Sequence, residues 1–399
     1  MPANSTASDT LRKRQRTNLV RGGIVRSGFG ETSEAIFLSS GYCYASAESA
    51  EARFKNAQPG FVYSRFGNPT VAVLEQRLAL LEGAEAARAT ASGKAAVNAA
   101  LMSQLRHGDR VVAARALRGS PRYLIEKLLP RMGIETVFVD GTDIEQWRHA
   151  LARETRCVFF ETPANPRLDI VDIAAVAALA HRAGARVIVD NVSASCILQR
   201  PLAFGADIVV YSSMTHVDEE MNFTGGAVLA DAAFVADLLT PYLRHTGPAL
   251  SPFNAWILLK ALETVDLRIR QRSANATRVA DFLAEHPTVL RTIYPGRKDH
   301  PQHALANRQM QGAGGLVVFE IDGDRSQAFR FIKRLRLIAS SNHLGDASSQ
   351  IIHPATMTHY HVSPQERAAL GIRDSLLRLS VGLEDADDII DDLAAALAA

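Results

Sequence analysis

The chain has 399 residues, of which 47% are hydrophobic and 22% are charged, so it is long enough for two or three packed regions around a large apolar interior. Its 44 Lys and Arg residues nearly balance its 42 Asp and Glu residues, which excludes the strongly basic surface of a protein that binds nucleic acid or anionic membranes. No run approaches the roughly 18 apolar residues of a membrane helix, and the three cysteines are too far apart for a zinc motif or a disulfide framework. We therefore expect a cytoplasmic protein with no nucleic-acid or membrane partner.

Residues 1–60 contain no strong core pattern and are predicted to form an extended N-terminal arm. In the region 61–252, apolar runs of strand length alternate with helical patterns, which is typical of βαβ units and of a mostly parallel sheet. The helical patterns include residues 92–105 and residues 170–184, the latter closed by Gly184. The predicted strands are residues 110–114, 136–140, 157–162, 186–190, 207–213 and 226–230.

The pattern changes after Pro252, where residues 254–286 form one long helical stretch. Two strands are predicted beyond it, within residues 314–322 and 376–384. The final segment, 385–399, is an amphipathic helix whose acidic first turn suits the helix dipole. The sequence therefore predicts an α/β protein with a large domain at 61–252 and a smaller α+β domain at 253–399.

Two motifs offer groups that bind anions. Tyr63 and Arg65, in "YSRFGNPT", provide a hydroxyl and a guanidinium next to a tight Gly-Asn-Pro turn. Ser92 and Gly93, in "TASGK", stand at the start of a predicted helix, where free N–H groups and the helix dipole favour phosphate. Taken alone, each motif is more typical of an ordinary turn or a capped helix.

Polar residues also stand where predicted strands end. Glu161, Asp190 and Ser212 lie at the carboxyl ends of three strands, and Asn165 follows one of those ends. Ligands of such sheets bind at that edge. A carboxylate in the position of Asp190 can pair with a pyridinium nitrogen.

These motifs occur together with several longer ones, and the combination is specific. The chain resembles the Cys/Met-metabolism family of pyridoxal-phosphate (PLP) enzymes, and within that family it is most similar to the O-succinylhomoserine sulfhydrylases. The resemblance covers nearly the whole chain and implies the fold-type-I PLP-dependent transferase architecture, like that of aspartate aminotransferase. The further motifs are "GG" at 225–226, "HTGPALSPFNAW" at 245–256, "SNHLGDASSQIIHPATMTH" at 341–359 and "LLRLSVGLED" at 376–385.

The resemblance implies a cofactor site shared between subunits. Tyr63 and Arg65 would reach the PLP phosphate of a neighbouring subunit, so the protein would be a homo-oligomer, with dimers pairing into tetramers as is usual in the family. The other groups around the phosphate would be Ser92, Gly93, Lys94 through its backbone, and Ser212.

The resemblance also implies roles on the ring and substrate sides. Asp190 would bind the pyridine nitrogen, and Asn165 would contact the 3-hydroxyl side of the ring. Arg378 would hold the substrate carboxylate with its two-pronged guanidinium, and Ser341 would lie nearby. The substrate would be a small molecule resembling an amino acid.

The chain departs from the family where the lysine that attaches PLP is expected. The segment Val209–Ala230, "VVYSSMTHVDEEMNFTGGAVLA", contains no lysine. Aligned on its flanks, the family's Thr-Lys pair falls on Met214 and Thr215. Threonine can neither hold the cofactor aldehyde nor carry protons as the lysine amine does. The usual reaction of the family is therefore not expected, and PLP would be absent or bound non-covalently.

Other departures lie around the same predicted pocket. Where the family has an aromatic side chain that stacks on the pyridine ring, this chain has Arg118, in "ALRG". The segment 193–196 reads "SASC" in place of Phe-Ala-Thr-Pro, and residues 219–222 replace a small, glycine-containing loop. The phosphate and carboxylate sides largely keep the family's residues.

Three interpretations remain open. The chain is a repurposed transferase or lyase that acts on an amino-acid-like carboxylate, which we favour because Arg378, Asn165 and Asp190 are retained. Alternatively it is a non-catalytic subunit that binds a ligand or regulates an active homologue. In the third interpretation another lysine, such as Lys94, attaches the cofactor, although the position of Lys94 fits contact with an anion better.

Two clusters of histidines and acids raise the question of a metal site. Consecutive side chains in the "HVDEE" run, residues 216–220, diverge, so the run is predicted to be a solvated acidic loop. His353 and His359 are predicted to be structural. We expect no metal.

Overall fold

The computed structural model of the chain describes residues 13–24, 26–212, 214, 217 and 224–398. It contains a seven-stranded sheet in the order β1-β7-β6-β5-β4-β2-β3. All neighbouring pairs among β2 to β6 are parallel, while β7 is antiparallel to both of its neighbours. This confirms the predicted α/β architecture with a mostly parallel sheet. The strands are β1 Ala86–Thr90, β2 Arg110–Ala114, β3 Glu135–Val139, β4 Cys157–Glu161, β5 Arg186–Asp190, β6 Ile208–Tyr211 and β7 Gly226–Ala230.

A second sheet of five strands lies in the C-terminal part, in the order β10-β11-β12-β9-β8. Its strands pair antiparallel except for β10 and β11. Both strands predicted in this part are present, as β9 and β12. The strands are β8 Val289–Ile293, β9 Leu316–Ile321, β10 Ala339–Ser340, β11 Gln350–Ile352 and β12 Leu376–Ser380.

Helices surround the two sheets, and none in the described ranges is both long and apolar enough to cross a membrane. The α-helices are α1 Gln15–Arg21, α2 Ala47–Phe54, α3 Pro69–Glu82, α4 Gly93–Met102, α5 Gly119–Tyr123, α6 Ile144–Ala150, α7 Ile173–Arg182, α8 Ser195–Leu198, α9 Ala232–Phe234, α10 Thr240–Thr246, α11 Pro252–Leu262, α12 Val265–Glu285, α13 His303–Gln309, α14 Arg325–Arg334, α15 Pro364–Ala369 and α16 Ala386–Leu397. Short π-helical segments at Leu124–Leu128 and Val235–Leu239 continue α5 and α9, and 3-10 segments lie at Leu129–Met132 and Pro201–Phe204.

The large sheet is covered on both faces. Phe159 and Phe160 are neighbours on β4 and point to opposite sides, yet both are fully buried. Phe159 packs with Ile188 in one apolar cluster, and Phe160 packs edge-on against Trp147 in another, with ring centroids 5.8 Å apart. This is why the parallel strands are continuous apolar runs rather than alternating ones.

The long helical pattern at 254–286 forms two helices rather than one. α11 ends at Leu262, and α12 begins at Val265 after Thr264, whose backbone (φ −111°, ψ 1°) leaves the helical region. α7 ends near the predicted position, and Gly184, just beyond it, has the left-handed φ of +71° that favours glycine there.

The N-terminal arm contains two helices, α1 and α2, that the sequence did not predict. Leu19, on α1, is 1% exposed and belongs to the main apolar cluster. Further along, the buried carboxylate of Glu34 pairs with Arg77 and Lys260. The arm is therefore tied to the large sheet through α3 and α11.

Candidate functional site

The carboxyl ends of three adjacent parallel strands bring the predicted polar residues together. Glu161 ends β4, Asp190 ends β5, and Ser212 follows β6. Glu161 lies opposite Asp190 in the sheet register, and Asp190 lies opposite Val210. The Ser212 N–H donates to Asp190 Oδ1 at 3.4 Å. The site is therefore centred where β4, β5 and β6 end.

Asp190 is fully buried and only half of its carboxylate is occupied. Oδ1 accepts from the N–H groups of Val192, at 3.3 Å, and Ser212. Oδ2 has no hydrogen-bond partner in the described part of the chain. Burial raises the pKa of Asp190, and the charge of Arg118 opposes that rise. A buried, unpartnered carboxylate oxygen fits a cationic N–H donor such as the protonated nitrogen of a pyridine ring.

The start of α4 and Ser212 border a cavity of about 1070 Å³. Ser92 caps α4 by accepting from the Ala95 N–H at 3.3 Å, and the amides of Gly93 and Lys94 open the first turn, where N–H groups have no acceptor within the helix. Ser212 Oγ is buried and has no partner among the described residues. These donors fit an anion such as phosphate.

The helix start and the sheet are held in close contact at this end of the cavity. A Cβ on Gly226, the first residue of β7, would lie 2.6 Å from the Gly93 Cα. Any larger residue at position 226 would therefore push α4 away from the sheet. The glycine at this position keeps the helix start next to the ends of the strands.

Arg118 occupies one wall of the cavity as part of an ion pair. Its Nε donates to Glu161 Oε1 at 3.1 Å, and its Nη2 donates to Ser193 Oγ at 3.4 Å. The Ser193 hydroxyl in turn donates to Glu161 Oε1 at 3.1 Å. Burial raises the pKa of the fully buried Glu161 and the charge of Arg118 lowers it. The residue predicted at the ring-stacking position is thus anchored by a carboxylate rather than free.

Arg378, on β12, is 2% exposed, and its hydrogen-bond acceptors among the described residues are neutral. Nη1 donates to Asn165 Oδ1 at 3.1 Å and Nη2 donates to the Asn342 carbonyl at 3.3 Å, while Nε has no partner. No carboxylate of the described residues forms a salt bridge with it. Burial, followed by the nearby charge of Arg118, lowers the pKa of Arg378 to about 9. The guanidinium is still protonated at neutral pH and fits a bound carboxylate.

Ser341 lies beside this group, because its neighbour Asn342 supplies the carbonyl that Arg378 contacts. Its own N–H donates to the Ile351 carbonyl at 3.3 Å. The structure therefore places Asn165, Arg378 and the backbone next to Ser341 in one region, and the roles predicted for these residues stay predictions.

Among the described residues, no contact brings Tyr63 or Arg65 to this region. Tyr63 is 41% exposed, and its ring packs edge-on against Phe66. The Arg65 guanidinium lies 4.9 Å from the Phe66 ring centroid and donates to the Arg244 carbonyl. Their predicted contact with the cofactor of a neighbouring subunit stays a prediction.

Two further predictions concern histidines and metals. His353 is buried, with Nδ1 2.9 Å from Thr356 Oγ1 and Nε2 2.7 Å from the Asp374 carbonyl, which is a structural arrangement. Burial, followed by the charge of Arg378, lowers the pKa of His359 to about 4. No cluster of three or more His, Cys, Asp or Glu suited to a metal occurs within the ranges that the structure describes.

The position aligned with the family's lysine, Thr215, lies outside the described residues, as do His216 and the acidic residues 218–220. The sequence predicted neither the acceptor role of the Asn342 carbonyl nor the contact of Ser193 with Glu161. Both contacts join segments that are distant along the chain, and no spacing rule could have indicated them.

Comparison with known proteins gives consistent matches over almost the whole chain. The model of the family described as Cys/Met metabolism PLP-dependent enzyme matches residues 16–398. An O-succinylhomoserine sulfhydrylase of Mycobacterium tuberculosis is 51% identical over 387 residues, covering 96% of this chain and 95% of that protein. An L-methionine gamma-lyase of Fusobacterium nucleatum subsp. polymorphum is 38% identical over 379 residues, covering 94% of this chain and 96% of that protein.

Solved structures give the same picture. Cystathionine gamma synthase from Xanthomonas oryzae pv. oryzae, in complex with aminoacrylate and cysteine, superposes with a TM-score of 0.92 at 36% identity, covering 97% of this chain and 98% of that one. A protein described as an O-acetylhomoserine (thiol)-lyase from Campylobacter jejuni, which carries N'-pyridoxyl-lysine-5'-monophosphate, superposes with a TM-score of 0.93 at 32% identity, covering 97% and 100%.

Proposed function

The chain belongs to the Cys/Met metabolism PLP-dependent enzyme family, and we propose that it is a divergent member that binds PLP without the usual covalent link. It acts as a transferase or lyase on a small carboxylate substrate resembling an amino acid. The observation that carries this proposal is the buried Arg378 guanidinium, which meets only the amide oxygen of Asn165 and a backbone carbonyl among the described residues. A buried cation without a counter-anion is costly, and a substrate carboxylate supplies the missing partner.

The residues at the strand ends fit the cofactor. Asp190 Oδ2 would hold the pyridine nitrogen, and Ser212 with the first amides of α4 would hold the phosphate. When bound, PLP supplies an electron sink for bonds at the substrate's α-carbon. Asp190 contributes by keeping the ring nitrogen protonated, because the buried carboxylate stabilises a cation beside it.

The absence of a lysine from residues 209–230 supports the non-covalent mode. Of the seven lysines in the chain, Lys94 and Lys127 line the cavity. Neither stands at the aligned position, which is Thr215. We therefore expect the family's usual reaction, in which sulfide replaces succinate or acetate on an activated homoserine, to be absent or strongly reduced.

Absorption spectroscopy of the purified chain with added PLP tests the cofactor proposal. We expect PLP to be retained through gel filtration, but to be removed after borohydride treatment and denaturation. A pyridoxyl group fixed on any lysine by borohydride, located by peptide mass mapping, would overturn the non-covalent mode. Attachment at Lys94 would then favour a conventional sulfhydrylase that uses a different lysine.

The substrate proposal is tested by thermal unfolding of the PLP-loaded chain with amino-acid carboxylates, compared with their amides. Specific ligands stabilise the folded state by mass action. We expect carboxylates, but not amides, to raise the melting temperature, and we expect Arg378→Gln to abolish that difference. Equal effects of carboxylates and amides would contradict the role of Arg378. Ligands that stabilise the chain are then incubated with it, and products are identified by mass spectrometry.

A second candidate function is a non-catalytic subunit that binds a ligand or an active homologue. The Arg118–Glu161 ion pair favours it, because it places a guanidinium where the family stacks an aromatic ring. Binding of carboxylates without turnover, together with co-purification of mixed oligomers with an active homologue, would support this alternative.

We further propose that the chain forms a homo-oligomer in which Tyr63 and Arg65 complete the site of a neighbouring subunit. Light scattering measures the size of the oligomer.

A further inference from the structure

The cations that line the large cavity differ in whether a protein carboxylate neutralises them. Three of the lining residues are Lys94, Arg118 and Lys127, and none of the described lining residues is acidic. Arg118 pairs with Glu161 at 3.1 Å, and Lys127 pairs with Glu126 at 2.8 Å. Lys94 forms no ion pair or side-chain hydrogen bond with the part of the chain that the structure describes. Of the three lysines and arginines that line the cavity in the described ranges, Lys94 is therefore the one whose charge is available to a ligand.

The surroundings of Lys94 point to an anion with several oxygens. Lys94 is the second residue of the ten-residue helix α4, so its ammonium group adds to the positive end of the helix dipole. The buried Ser212 Oγ, which lines the same cavity, has no partner among the described residues. Asp190, fully buried next to Ser212, also has an oxygen without a partner. An unpartnered donor in the cavity and an unpartnered acceptor at the adjoining strand end suit a ring that carries a phosphate.

We propose that the Lys94 ammonium group binds the phosphate monoester of the ligand and provides electrostatic affinity in place of the missing covalent link. This inference rests on the proposed function, in which the phosphate belongs to PLP, but the chemistry is the same for any phosphate monoester in this cavity. A charge-assisted hydrogen bond to phosphate contributes more than a neutral one. The lysine acts by binding and takes no part in covalent attachment.

Isothermal titration calorimetry of the full chain tests the proposal by measuring its affinity for three ligands, which are PLP, pyridoxal and inorganic phosphate. The variants are Lys94→Met, which removes the charge and keeps an unbranched side chain, and the matched control Lys127→Met, which removes a cation of the same cavity that Glu126 already neutralises. We expect Lys94→Met to weaken PLP and phosphate binding about tenfold to a hundredfold, with pyridoxal unchanged. Lys127→Met changes each affinity less than twofold. Circular dichroism confirms that both variants are folded.

The outcomes separate this inference from the proposed function. If the wild type and Lys94→Met bind PLP with equal affinity, the inference about Lys94 is overturned. The cofactor proposal is still upheld in that case, because PLP binds. Weaker pyridoxal binding to the same extent as PLP also overturns it, because the effect would not involve the phosphate. Binding of phosphate through Lys94 without any binding of PLP upholds the inference and defeats the cofactor proposal. A pyridoxyl adduct on Lys94 after borohydride reduction overturns it.

Discussion

Glu82 is a buried acid behind the candidate site, and its ionisation provides a measurable test of the structure. It is the last residue of α3 and is 2% exposed. Its Oε2 accepts from the Tyr211 hydroxyl at 2.6 Å, while Oε1 has no partner among the described residues. Tyr211 precedes Ser212 and also accepts from the Asn191 side chain at 3.3 Å. Burial raises the pKa of Glu82 from 4.5 to about 7, against the opposing effect of the Tyr211 hydrogen bond.

The sign and size of the effect follow from linkage. Because the pKa is higher in the folded chain, the folded state keeps a proton that the unfolded state releases above about pH 4.5. The resulting stability is complete below that pH and is lost as the pH rises through about 7. At 1.36 kcal/mol per pH unit, the difference between the unfolded-state pKa of 4.5 and the folded-state pKa of about 7 corresponds to about 3 kcal/mol of unfolding free energy. Glu82→Gln resembles the protonated acid and cannot ionise, so it removes this loss.

Urea denaturation at pH 5, 6, 7 and 8, followed by circular dichroism, measures the effect. We expect the stability difference, variant minus wild type, to increase by about 2.5 kcal/mol from pH 5 to pH 8, because a small part of the wild type's loss has already occurred at pH 5. Glu161 and Asp190 also have raised pKa values, but both proteins contain them, so their contribution cancels in the difference. Parallel pH profiles for the two proteins would refute the claim that Glu82 carries a proton in the folded state.

Three further substitutions have defined outcomes. Arg378→Gln should eliminate the stabilisation of the loaded chain by carboxylate ligands in thermal unfolding, and retained stabilisation would place the carboxylate elsewhere. Arg118→Phe leaves the buried Glu161 without its cation, so unfolding free energy should fall by about 3 kcal/mol at pH 8; the double variant with Glu161→Gln should recover most of it, and no recovery would mean that lost packing is responsible. Burial opposes ionisation of Glu34, but the hydrogen bonds that Glu34 accepts from Lys260 and its other partners lower the pKa of Glu34 to about 2. The ionised Glu34 therefore stabilises the fold above pH 4.5, and this stabilisation is lost as the pH falls through about 2. Glu34→Gln should therefore lower stability at pH 7 and weaken its dependence on pH below 4.5, and an unchanged acid titration followed by circular dichroism would contradict this.

The strands of the large sheet were predictable because buried parallel strands are continuous apolar runs with clear ends. β2, β5 and β7 lie where the sequence placed them. β1, with the sequence "AARAT", was not predicted, because three alanines and an arginine carry little of the β-branched or aromatic signal of a strand. Its position is fixed by antiparallel pairing with β7, which is a long-range contact.

The same distinction applies to the site. The meeting of Glu161, Asp190 and Ser212 followed from the rule that parallel strands end at one edge. The contact between Arg378 and Asn165 joins residues 213 positions apart, so it was not predicted, and the resemblance to the family suggested only that both residues belong to the site. The ion pair of Arg118 with Glu161 was not predicted at all, since the sequence showed a missing aromatic ring but not what the arginine would bind.

The state of Arg378 distinguishes a ligand-binding protein from a purely structural scaffold on energetic grounds. Because the pKa of Arg378 falls from 12.5 to about 9 on folding, keeping this group charged at neutral pH costs the folded state on the order of 5 kcal/mol of stability. A purely structural subunit gains nothing from that cost, and a protein carboxylate or an apolar side chain at this position would remove it. Arg118, which is less deeply buried, does have a carboxylate partner. The Arg378 guanidinium has no carboxylate partner among the described residues, so a ligand carboxylate is the group that would offset the cost of burying its charge. This favours a ligand-binding protein over a scaffold.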